Sequence, residues 1–259
     1  MFSAQFTLEG FEYFLLLLSR ISAFVMVAPF FSNANTPNRH KAGFSAVVAI
    51  MLYFTVPHIP LDYNGTLGYA FLVIKEVICG LIMGYVTNAC NNIMLFAGTI
   101  IDMDIGITMA QIFDPTTGTQ ASITGTLYNY FILLLLIVTD MHRYVLRAMV
   151  DSFTVIPLGQ VNFNTDALFL TFLKFISDLF IIAFRIFLPI FACIMILNCV
   201  LGIMVKVSPQ MNMFSIGIQL KIITGFTVLF LTVFLLPDIA NFVFGEMRVL
   251  LKSVIESMM

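Results

Sequence analysis

Three aspartates, Asp102, Asp104 and Asp114, interrupt an otherwise small and apolar stretch, GTIIDMDIGITMAQIFDPTTGTQASITG, from Gly98 to Gly125. More charges sit in or beside apolar runs: Arg20, Lys75, Glu76, Lys174, Asp178, Arg185 and Lys221. Acids and bases placed this way could relay protons or hold a passing ion. They could also pair between helices, or snorkel to a membrane surface. In either case they should face a bundle interior, a cavity or a partner, because a charge in lipid is costly. Pairing is the simpler use, since the acids do not recur on one buried face. Lys174 and Asp178 are spaced to pair on one helix face. His40, His58 and His142 are widely separated. Cys79, Cys90, Cys193 and Cys199 lie inside apolar runs without C-x-x-C spacing and read as small buried hydrophobes. H-E-x-x-H, G-x-S-x-G, P-loop and dinucleotide patterns are all missing. We therefore expect no catalysis, no cofactor and no metal.

The elements that must carry these charges are apolar. Hydrophobic residues make up 60% of the 259 residues and charged residues 10%, with a mean hydropathy of +1.02. Soluble domains are about half apolar and about a quarter charged, so the chain reads as an all-α integral membrane or membrane-derived protein. A net charge of −2 gives no reason to expect nucleic-acid binding. Glu9 and Glu12 stand where a signal peptide carries positive charge, so the first apolar segment is expected to remain in the mature protein.

Taken in order, helices are expected over Phe11–Phe31, Ala42–Val56, Leu67–Ile101 and Thr126–Thr139, the last continuing with charges to Asp151. Thr165–Lys206 should form a long helix kinked at Pro189, and Gln219–Leu236 one ended by Pro237. Residues 239–259 read as an amphipathic tail on a surface or a partner. Gly80 and Gly84 form a GxxxG spacing that lets two helix backbones approach. Asn88, Asn91 and Asn92 are expected to share a polar face on the same helix. Pro115 should break helix within the central stretch. Irregular backbone between lipid-grade helices needs protein or a water-filled cavity around it, and we expect this loop to lie in the path of something that passes through the protein. The many methionines, Met103 and Met109 among them, suit core filling or a deformable seal.

Five landmarks then occur in order: Pro29 followed by T-P-N-R-H-K-A-G (Thr36 to Gly43); K-E-V-I-C-G-L-I-M-G (Lys75 to Gly84); A-G-T-I-I-D-M-D-I-G…F-D-P (Ala97 to Pro115); H-R-Y…D-S-F-T-V-I-P-L-G (His142 to Gly159); and S-P-Q-M-N-M-F-S-I-G-I-Q-L-K (Ser208 to Lys221). The set resembles the FliR family of flagellar export-gate subunits, whose virulence-secretion counterpart is the SctT family. The chain departs from it at Asp104, where a neutral residue is expected, at Asp140 and Met141, where Gly-Gly is common, and at Lys206, where Arg is usual.

The resemblance implies one all-helical export-gate unit of long kinked hydrophobic helices and helical hairpins. Residues 1–164 would be a FliP-like part with a plug loop at about 102–125, residues 165–238 a FliQ-like hairpin, and 239–259 the tail. It implies FliP-like, FliQ-like and FlhB-like partners, unfolded flagellar proteins as cargo, lipid contact, and a multi-pass place in the bacterial inner membrane at the basal body. On this resemblance Asp104, Gly106, Met109, Gln111, Phe113, Asp114, Pro115 and Gly118 would form the plug. Gly80, Gly84, Arg39, Pro209, Gln210 and Asn212 would serve packing and assembly. The alternatives are an ion-coupled secondary transporter acting alone and the virulence-secretion counterpart.

Overall fold

The structure is a computed structural model, described over residues 8–29, 31, 36–57, 59–61, 63, 65–108, 122–208 and 213–259. It is all-α, with no strand among the described residues. Helix α1 spans Leu8–Val27 and ends ahead of Pro29, which biases its predecessor out of helical geometry, so the helix stops short of the expected Phe31. Helix α2 spans Asn38–Tyr53; Pro37 at its N-cap (φ −58°) draws the basic residues into the first turn, earlier than the expected start at Ala42.

Helix α3 runs unbroken over Gly65–Ile105, further than expected at both ends. Its 41 residues make about 60 Å at ~1.5 Å per residue, roughly twice a ~30 Å bilayer core.

Helix α4 (Ile123–Val138) and helix α5 (Met141–Val155) are separate and bent by 72° where one continuous helix was expected. The break lies at Asp140, the one non-glycine residue with positive φ (56°) among the described residues. A short polar side chain tolerates this left-handed conformation better than most.

Helix α6 (Thr165–Val207) contains Pro189 without ending there. Asn164 Oδ1 accepts the Ala167 N–H at 3.1 Å and caps its start. Helix α7 (Met213–Thr232) passes through a 3-10 turn, Val233–Leu235, into α8 (Leu236–Glu256). Pro237 was expected to end a helix. It instead sits in the first turn of α8, where a missing N–H loses no helical bond.

The chain divides into two compact units. The first comprises Met1–Cys90, Leu136–Phe175 and Gly245–Met259. Its core is built from Leu16, Leu17, Ile21 and Phe24 of α1, Met149 and Phe153 of α5, and Met247, Leu251 and Val254 of α8. Asn162 N–H and Asn164 N–H donate to the carbonyls of Met258 (3.2 Å) and Ser257 (3.1 Å), which ties the last turn of the chain to the α5–α6 connection. The apolar stripe of α8 is thus used within the chain itself, while Arg248, Lys252 and Glu256 face outward. Outside the apolar helices, Tyr63 donates to a Glu12 carboxylate oxygen at 2.5 Å, and that bond raises the phenol above its ordinary pKa.

The second unit comprises Asn91–Leu135 and Ile176–Phe244. Its helices leave large apolar side chains outside, with Phe230 and Leu231 at the end of α7 and Phe234 (83% exposed) in the 3-10 turn that follows. Phe96 and Phe180 meet edge to face at 5.5 Å. Arg185 lies 5.6 Å over the Phe242 ring.

By length and composition, four helical stretches among the described residues could cross a membrane (α7 and α8 counting as one), or five if the bent α4–α5 pair is one span. The protein is therefore a membrane protein in its build.

Asp140→Val should lower the thermal midpoint in detergent, because a β-branched residue resists positive φ by about 1–2 kcal/mol. Asp140→Gly should leave it unchanged or raise it.

Candidate functional site

The charge problem posed by the sequence is resolved first in α1 and α3. Lys75 is exposed, but Glu76 beside it is fully buried (0% exposed), as is Arg20. Arg20 Nε meets Glu76 Oε2 at 2.5 Å. The other Glu76 oxygen accepts the Gly159 N–H at 2.9 Å, delivered by a turn in which Gly159 takes φ +78°. Arg20 Nη1 donates to the carbonyls of Ile156 (3.1 Å) and Ser152 (3.4 Å), and the Phe153 ring lies 4.5 Å from the guanidinium. A buried pair is tolerable only when its remaining donors and acceptors are also used, and here main-chain groups at the end of α5 and beyond use most of them. The pair therefore fixes α1, α3 and the α5 exit together.

What lets α3 come this close to α1 is the absence of side chains. A Cβ on Gly80 would overlap the Arg20 carbonyl, and one on Gly84 would lie 2.8 Å from the Phe24 carbonyl. The GxxxG contact thus forms within this chain.

The second constellation closes the far end of α3, within the second unit. Asp102 is 1% exposed. Its Oδ2 accepts the Ser122 hydroxyl at 2.7 Å and the Thr124 N–H at 3.1 Å. Ser122 Oγ accepts the Gly125 N–H at 2.8 Å, so Ser122 and Asp102 together cap the start of α4. The partial positive charge at that helix end offsets the carboxylate. The Asp102 carbonyl also accepts the Gly106 N–H (3.1 Å) and the Thr108 hydroxyl (3.3 Å). One residue therefore holds both chain ends that flank residues 109–121.

Gly106 (φ +90°) ends α3 in the left-handed geometry glycine accommodates readily. Gly98 packs on Gly125 so closely that a Cβ on either would overlap its surroundings. One turn or more back, Asn91 Nδ2 donates to Asn129 Oδ1 at 2.7 Å.

Of the residues expected to form the plug, Asp104 and Gly106 lie at this α3 end, with Asp104 half-buried. Met109, Gln111, Phe113, Asp114, Pro115 and Gly118 lie outside the described residues, as do Pro209, Gln210 and Asn212. Arg39 is exposed in the first turn of α2, whereas Lys41 close by is buried. Asn91 is buried but Asn92 is exposed, so the three asparagines do not act as one face: neighbours on a helix are about 100° apart. Among the described residues no ion pair joins Lys174 to Asp178; Lys174 is exposed instead. The roles of Ser122, Ser152 and Asn129 were not anticipated. For Ser122 a signal was present, a serine directly before an apolar helical run.

The model of the bacterial export proteins, family 1, matches residues 11–247. The chain is 31% identical over 227 residues to the flagellar biosynthetic protein FliR of Bacillus subtilis, covering 86% of each chain. It is 26% identical to FliR of Escherichia coli over 244 residues, 93% of this chain and 92% of that one. FliR of Pectobacterium carotovorum is 26% identical over 238 residues. The chain belongs to the bacterial export protein family 1, the FliR and SctT family.

Replacing Glu76 by Ala should cost about 3–5 kcal/mol, because it leaves a buried guanidinium without its counter-charge. The double variant Arg20→Met/Glu76→Met should lose less than the single one. Unfolding midpoints in detergent measure both.

Proposed function

We propose that the chain is a non-enzymatic subunit of the flagellar protein-export apparatus in the bacterial inner membrane, at the basal body. With FliP-like, FliQ-like and FlhB-like subunits it would line a conduit for unfolded proteins, and the segment from Gly106 to Gly125 would plug that conduit at rest. The observation that carries this reading is the family match over nearly the whole chain. The α3 end supports it: a polar connection between lipid-grade helices is anchored there by one buried carboxylate.

The physical division of labour follows from composition. Small-residue contacts such as Gly80 on α1 give a rigid frame. The broad apolar exterior of α6 and α7 is left for neighbouring subunits and lipid. The charges at Arg20 and Glu76 are consumed by each other and by main-chain groups, which is a structural use of charge. A carrier working alone would need such groups for a coupling ion. Cargo movement would draw its energy from other parts of the machine.

Deleting the gene should abolish export of flagellar proteins, and the full-length chain should restore it. Shortening residues 106–125 should increase ion leakage in cells with the assembled gate. Unchanged leakage would remove the plug from this reading, and normal export in the deletion strain would remove the reading itself.

A further inference from the structure

Near the Asp102 clasp lies a second carboxylate with a different environment. Asp104 Oδ2 is enclosed by protein and has no hydrogen-bond donor among the described residues. An undonated, shielded carboxylate oxygen is costly to maintain. Helix α7 reaches the same end of α3: the Ile105 side chain presses on Gly225, with Cδ1 2.5 Å from where a Cβ would stand. Lys221 lies one turn before Gly225 and so on the same helix face. Its ammonium is within electrostatic reach of Asp104, yet no ion pair joins them among the described residues. A lysine on its flexible stem, with three donors at the tip, is suited to meet such an oxygen after a small movement.

We propose that Asp104 and Lys221 are the two halves of an electrostatic latch between α3 and α7, open in this structure and closed in the resting export gate. The inference rests on the export-subunit reading above. Closure satisfies the enclosed oxygen and holds the end of α3 against α7. Passage of cargo then requires the pair to part.

Two measurements on the full chain, in cells carrying the rest of the export machinery, test it. In the first, Asp104→Lys and Lys221→Asp are made singly and together. Each single change should raise ion leakage, and the exchange should restore the parental level; an exchange no better than the singles overturns the latch. If the single variants do not accumulate, Asp104→Asn and Lys221→Met are compared singly and together for the thermal midpoint of the assembled export complex in detergent, where the latch is closed. Strict additivity there overturns it equally. In the second, cysteines replace both residues in a chain whose native cysteines are serine. A reducible bis-thiol cross-linker about as long as a lysine side chain joins them. Cross-linking should stop export, and reduction should restore it. Failure to cross-link, or normal export while cross-linked, overturns the proposal. If the gene deletion leaves export intact, the export-subunit reading has failed independently of the latch.

Discussion

Two helix backbones can touch only where neither interposes a side chain, and at Gly80 and Gly84 α3 meets the backbone of α1 in this way. That contact decides the fate of the charges. At this contact Glu76 reaches Arg20 with no water around either. Desolvating the pair is expensive, and its remaining atoms find partners only because the chain after α5 turns back over them through Gly159. A glycine contact, an ion pair and a turn distant in sequence are thus one interdependent arrangement.

The second unit uses the same economy with different chemistry. Gly98 and Gly125 allow α3 and α4 to approach, and Asp102 then reaches the open Thr124 N–H at the start of α4. Here a helix terminus, rather than an arginine, supplies the compensating positive charge. Polar groups are enclosed along these contacts while phenylalanine and leucine side chains remain outside on α6 and α7. Such a surface is unstable in water and requires lipid or protein around it.

Much of this was legible in the sequence. The all-α class, the overlong apolar helices and the close contact at Gly80 and Gly84 follow from composition and spacing. The interhelical use of Arg20 and Glu76 follows from the cost of charge in an apolar segment. Their identity as mutual partners does not, because helical periodicity says nothing about contacts between segments so far apart. The misplaced boundaries have local causes. Asp140 adopts a backbone conformation usually left to glycine, and the Gly-Gly common at 140–141 in the family was the signal of a break there. Pro237 opens α8 because proline suits a first turn as well as an ending. Asp102 was visible as an acid in an apolar run, but its role depends on Ser122 and Thr124 across the intervening connection.

On the proposed reading, this chain buries Arg20, Glu76 and Asp102 to build a frame and leaves its apolar face for fellow subunits. Native mass spectrometry of the chain co-expressed with FliP-like and FliQ-like subunits tests it most directly. The expected result is a single hetero-oligomer that retains this chain after detergent removal in the gas phase. A stable, monodisperse monomer under the same conditions would contradict the claim.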